Sequence, residues 1–355
     1  MTGRPDHGVS ANGAAANGAA ANGSAAMRFS VDGWDPTYGT SLELDDDLGE
    51  STARVEVAVE LPAHEWRPID PRPGLPRPAA LLFVDGVRRV EARVWIEDDG
   101  PAGRPATEAS AALCASYAAG VVCCCAQRAH LVRADTRRGL FTIAPHAVGI
   151  ATWAGEYSVH RTAPAANTPL SMTLSQAVQR RLNEIELITA VAVRDAMTEH
   201  GVPADGDLLV LDGPLRGRQH LPRTLGYIKS HRSTYLPQEL NSLVGTLTPG
   251  QRTPVFLMGT SWDRHTWYLR LPGAGGAPWA GVVRVECSAD LAVPAVLDLA
   301  NLSQVCLGRF ASTQYKDARA PQNLYPIAGL ERELRRRLGD PQLLYRALRR
   351  SAAGR

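Results

Sequence analysis

Hydrophobic and polar positions change period several times along the chain, and each change marks a predicted element. Residues 54–60 alternate polar and apolar, the pattern of a strand with one wet face. Residues 62–78 carry six prolines and read as a loop or linker. Residues 79–86 form an apolar run closed by Asp85 and Gly86, and residues 89–96 alternate again, so a hairpin through residues 86–88 is expected. A third strand over 113–125 would complete a meander. Residues 135–170 show no clear period, and no element is assigned there. From 173 to 199 the spacing becomes helical, with Leu174, Val178, Leu182, Ile185, Ile188, Ala192 and Ala196 on one stripe, Thr173 or Ser175 able to cap it, and Gly201 ending it. A buried strand over 207–213 again closes in Asp-Gly. Short strands follow at 226–229 and 254–259, then a hairpin of 262–272 with 280–287. Helices are expected over 293–309 and 326–351, the latter divided by Pro341. Strands, one long helix, more strands and terminal helices together specify a mixed α/β sheet.

Composition narrows the class. The 38 Lys and Arg residues nearly balance 36 Asp and Glu residues, which excludes a polycation but leaves room for a local basic groove. No apolar run reaches the roughly 18 residues of a membrane helix, and no secretory pattern opens the chain, so a cytoplasmic protein without membrane association is expected. Residues 1–26 hold an Ala-Gly-Asn repeat with too few large apolar side chains to build a core, and a disordered tail is expected there. Among the six cysteines, Cys123, Cys124 and Cys125 are consecutive and no CxxC pair exists. That run reads as a buried strand, with redox or metal roles as the alternative.

Two apolar strands thus end in the same way, at Asp85-Gly86 and Asp212-Gly213. Either pair alone is a turn signal. A carboxylate at the mouth of a buried strand is costly unless paired or bound to a cation, and neither aspartate has a basic neighbour in sequence. If the strands are adjacent, the two carboxylates converge and suit a hard cation, Mg²⁺ or Mn²⁺. Further acidic groups are available at Glu184 and Glu186 on the helix, with Glu186 nearer the apolar stripe, and at Asp317. Such a set could hold two metals for in-line phosphoryl transfer. Arg216, Arg218, His220, Lys229, His231, Arg232 and Tyr235 follow Asp212 and offer charge and one stacking ring for nucleic acid. A solvated basic loop is the alternative. No Walker A sequence, strand-linked GxGxxG or GxSxG elbow is present.

The order of these features resembles the NurA-type DNA repair nucleases. The resemblance rests on Phe83 to Gly86, a long Glu-bearing helix, Leu211 to Leu215, Gly226 to Ser230, and Lys316-Asp317 with its following Ala-Arg-Ala-Pro, and it runs over about residues 79–348. It implies an RNase H-like mixed sheet core with an inserted β region and a helical C-terminus. It also implies manganese- or magnesium-dependent DNA cleavage, a homodimer, and work beside a HerA-type hexameric ATPase on DNA ends in double-strand break repair. Carried onto this chain, the resemblance makes Asp85, Glu186 (or Glu184), Asp212 and Asp317 metal ligands and places Lys229 at the scissile phosphate. The nuclease domain would then span residues 79–351, preceded by a strand and linker over 27–78. A subunit that binds nucleic acid or assembles without catalysis, keeping the same fold, is the competing expectation.

Overall fold

The computed structural model describes residues 53–353, apart from 98–108, 126–127, 165, 204–205, 232 and 274. The tail expected over 1–26 lies outside the described residues, as does Arg232. In chain order the strands are β1 (Arg54–Glu56), β2 (Ala80–Glu97), β3 (Ala109–Cys125), β4 (Arg128–Thr142), β5 (Ile150–Thr152), β6 (Gly155–Arg161), β7 (Asp207–Asp212), β8 (Thr224–Ile228), β9 (Phe256–Gly259), β10 (Asp263–Arg270) and β11 (Val282–Ser288). The helices are α1 (Leu170–Glu199), α2 (Gln238–Thr246), α3 (Val293–Leu307), α4 (Tyr325–Arg337) and α5 (Pro341–Ala353).

The strands join in one sheet of order β1-β9-β10-β11-β8-β7-β2-β3-β4-β6-β5. At its centre β2, β3 and β4 are antiparallel, while β7 runs parallel to β2 and β8 parallel to β7. Beyond β8 the pairing is antiparallel again through β11, β10, β9 and β1. The architecture is therefore a large mixed α/β sheet with helices at the C-terminal end. Side chains alternate across the sheet. Leu82, Val84, Leu209 and Leu211 pack beneath α1 with Ala190 and Val193. Leu81, Phe83, Leu208 and Val210 face α3, and Val87 and Ala118 face Leu330 and Leu334 of α4. Among the described residues no helix is long and apolar enough to cross a membrane.

Two expectations are corrected here. The segments 79–86 and 89–96 are not a hairpin. They form one continuous strand of 18 residues, in register with β3 on both sides of Gly86. Gly86 does not adopt positive φ, whereas Gly213 does, at 104°. The first Asp-Gly pair is thus extended and only the second turns. In α1 the expected stripe holds up to Leu182 and then drifts: Ile188 is 59% exposed, and the inward positions are Glu186, Thr189, Ala190 and Val193. The region 135–170, left without an element, contributes the end of β4 and the hairpin of β5 with β6.

Candidate active site

The site forms where β7 stops and β2 continues. Their parallel pairing ends at Val84 opposite Leu211, so the next residues, Asp85 and Asp212, stand side by side at the carboxyl end of the parallel strands. By alternation both aspartates lie on the face covered by α3 and α4. Lys229, just beyond β8, lies on the same face, because Leu225 and Tyr227 pack there. Its ammonium donates to Asp212 Oδ2 at 2.6 Å and to Asn323 Oδ1 at 3.1 Å. Asn323 in turn donates to Asp317 Oδ2 at 2.6 Å. Asp317 also accepts from the backbone and side chain of Arg319, whose far nitrogen donates to Glu331 on α4 at 2.8 Å. One chain of polar contacts thus joins Asp212, Lys229, Asn323, Asp317, Arg319 and Glu331.

Asp85 is handled differently. It is buried, and among the described residues its hydrogen-bond donor is the backbone N–H of Gly86, at 2.7 Å. Burial, then the neighbouring Asp212 carboxylate, pushes its carboxyl well above the ordinary aspartate range, and Lys229 opposes this only in part. Glu331 goes the other way: burial works against its charge, but hydrogen bonds from Arg319 and Arg335 bring it down to about 2.

Glu186 reaches the notch from the opposite face. Its carboxylate lies directly over Gly86, where a Cβ would collide with Glu186 Oε1 and with the Leu182 side chain. That close approach is why a glycine occupies an extended strand position. Glu186 is buried and accepts from Arg218 at 2.5 Å. Burial raises its carboxyl, and the charge and hydrogen bond of Arg218 partly offset the rise. Glu184 is exposed and pairs with Arg181 on the same helix. The loop after Asp212 is fixed from below by Glu286, which is fully buried, accepts from the Leu215 N–H at 2.7 Å, and pairs with Arg284 and Arg264.

The basic residues expected to meet nucleic acid are divided. Arg218 points inward to Glu186, and Lys229 to Asp212. His231 sets Nε2 against the Val282 carbonyl at 2.9 Å and packs between the rings of Tyr268 and Trp279. Tyr235 packs at the edge of the core under α2, with the Arg284 guanidinium over its ring. Arg216 and His220 are exposed. Sequence reasoning missed Asn323, Arg319, Glu331, Glu286, Arg264 and Arg284. Asn323 and Arg319 lie just after Asp317 in the late motif, a signal that was present. The buried Glu286 carried none beyond a charge inside an alternating strand.

The oxygen donors suit a hard cation. Asp85 and Asp212 fit one, being adjacent, on one face, and with Asp85 short of positive charge. Glu186 does not join the same ion as placed, since it lies across the sheet in the grip of Arg218. Among the described residues, the three-residue His, Cys, Asp or Glu group whose ligand atoms all lie within 4.8 Å of one another is Cys123, Cys125 and His130. It lies outside this notch.

A scan of protein-family models finds no match, and a comparison with curated proteins finds none either. Among solved structures, the chain is similar to the crystal structure of the NurA nuclease from Sulfolobus solfataricus, at 11% identity and a TM-score of 0.40. The similarity covers 77% of this chain and 84% of that one.

Proposed function

We propose that the protein is a divalent-cation-dependent nuclease that hydrolyses DNA phosphodiester bonds, with Asp85 and Asp212 as the cation-holding pair. The observation that carries the reading is the buried Asp85 carboxyl, unfavourable as an anion, set beside Asp212 at the open end of two parallel strands. Asp85 has a backbone N–H and no basic side chain as its hydrogen-bond donor among the described residues, which leaves an oxygen for an ion, while Asp212 would share its carboxylate between Lys229 and that ion. The strand order β4-β3-β2-β7-β8, with α1 as the connection into β7, supports an RNase H-like core. A hard cation bound there would polarise a phosphoryl oxygen and lower the pKa of a water molecule. Lys229, held between Asp212 and Asn323, is placed to donate to a phosphate oxygen, and Asp317 orients Asn323. Use of Glu186 as a ligand, and with it a two-metal site, would need its release from Arg218. On the motif resemblance we extend the proposal to manganese or magnesium as the cation, and to a homodimer acting in the cytoplasm on DNA ends beside a HerA-type ATPase.

The test is cleavage of labelled single- and double-stranded DNA by the full chain with Mn²⁺ or Mg²⁺, with EDTA as control. Asp85→Asn and Asp212→Asn should each lower the rate by roughly 100-fold or more, about 2.7 kcal/mol of transition-state stabilisation. Undiminished cleavage in either variant overturns the assignment. One observation favours the second reading, a non-catalytic nucleic-acid-binding subunit: Lys229 and Arg218 already neutralise Asp212 and Glu186. Salt-sensitive DNA binding by wild type, with no cleavage at any cation concentration, would establish it.

A further inference from the structure

We propose that Cys123, Cys125 and His130 form a site for one thiophilic divalent cation, Zn²⁺ by preference, separate from the acidic notch. Cys123 and Cys125 are two apart on β3, so both thiols point to the α1 face while Cys124 points to the other. His130 on β4 stands directly opposite Cys123. That pairing depends on a bulge. Up to Val121 the register sets β3 against β4 as Val121 with Arg133, and after it Val122 meets Leu131. Without the extra residue on β4, Cys123 would face Leu131 and no imidazole would reach the thiols. Bulges commonly re-aim a side chain in this way.

The three ligand atoms lie within 4.8 Å of one another, and Cys125 Sγ is 3.9 Å from His130 Nδ1. A tetrahedral zinc with Zn–S near 2.3 Å and Zn–N near 2.0 Å has ligand-to-ligand edges of about 3.5–3.8 Å, so closure needs only small side-chain rotations. The environment is graded: Cys123 is buried, Cys125 half-buried and His130 exposed, which gives an ion a route from solvent. Binding replaces two thiol protons with the cation; two thiolates, one neutral imidazole and M²⁺ leave the centre uncharged, and two protons go to solvent. Two sulfur ligands select zinc or cobalt over magnesium or manganese. Three protein ligands leave a fourth position for water or an external ligand.

The test uses the full chain, reduced and stripped of metal, titrated with Co²⁺ and then Zn²⁺. The expected result is a thiolate-to-cobalt charge-transfer band with intense visible bands of tetrahedral type, saturating at one equivalent and erased by Zn²⁺. Cys125→Ala and His130→Ala lie toward the solvent side, so folding should survive, and each should weaken Co²⁺ binding by at least ~10-fold. Cys124→Ala and Asp85→Asn should leave the bands unchanged, the latter separating this site from the acidic one. Failure of reduced wild type to develop the bands, their persistence in both Cys125→Ala and His130→Ala, or their loss in Asp85→Asn would overturn the proposal.

Discussion

At the scale of single residues, Asp85 imposes a pH dependence whose sign follows from its environment. Its folded carboxyl holds a proton to higher pH than an unfolded aspartate does, because burial and Asp212 disfavour the anion. Between the ordinary aspartate value of about 3.9 and the raised one, the native state binds more protons than the unfolded chain, so stability falls as pH rises through that window. Asp85→Asn removes the penalty. In EDTA its melting temperature should exceed that of wild type by a few degrees at neutral pH and match it below about pH 4. Identical melting curves at every pH would show that the carboxyl is not destabilised. Arg218 offers a complementary case. Arg218→Met strands Glu186 as a buried unpaired carboxylate and should cost about 3–5 kcal/mol, whereas pairing it with Glu186→Gln should restore most of the loss. Denaturant melts of the single and double variants measure this, and a non-recovering double variant would mean that the guanidinium does something other than neutralise Glu186.

At the scale of elements, the close approach of α1 to β2 makes Gly86 a packing residue. Gly86→Ala should destabilise by about 1–3 kcal/mol, since the added methyl meets Glu186 and Leu182. Ile188→Lys on the same helix should change stability by no more than about 0.5 kcal/mol, the side chain being mostly in solvent. Thermal melts of both variants check the pair. This contrast also shows what the sequence pattern could and could not carry. Runs such as 207–212 and 282–288 were legible because the first is an apolar core between two aspartates and the second alternates apolar with polar positions, and the long helix because its first half keeps strict spacing. The hairpin through Gly86 was misread because Asp-Gly encodes two different things: backbone freedom at Gly213, and room for another element's side chain at Gly86. Only tertiary contact separates them. The second half of α1 was misread for a related reason, since Glu186 and Arg194 turn inward to ion-pair with Arg218 and Asp207 and displace Ile188 to the surface. Adjacency of Asp85 and Asp212 was foreseeable from two matching strand ends. Of the partners across the notch, Asn323 follows Asp317 in the late motif, whereas Glu331 lies on α4 with no pattern to mark it.

At the scale of the molecule, the described part of the N-terminal segment is stitched into the far half of the sheet. β1 pairs with β9, and Glu60 accepts from two nitrogens of Arg252 at 2.7 and 2.9 Å and from the Val255 N–H at 2.8 Å. Arg252 is almost wholly buried, with Gln304 and Asn301 as its other side-chain partners. Glu60→Ala should therefore cost about 3–5 kcal/mol by leaving that guanidinium short of its counter-ion. A calorimetric melt little changed from wild type would show that the segment is dispensable to the core.

The uninterrupted course of β2 has a consequence for how this chain tolerates change in length. Its 18 residues, about 60 Å of extended backbone, act as a ruler read from both sides: one edge is ruled against β3 with one mark skipped between Val90 and Ala92, the other against β7 for the first few divisions only. Adding or deleting a single residue between Ala80 and Val84 would transpose odd and even marks, carrying the acidic group to the side of α1 and the gap for Glu186 to the side of α4. Within the first half of this ruler a shift of two is thus the smallest step that keeps its markings in phase, and a single extra residue is absorbed only farther along, where the register against β3 already skips Glu91.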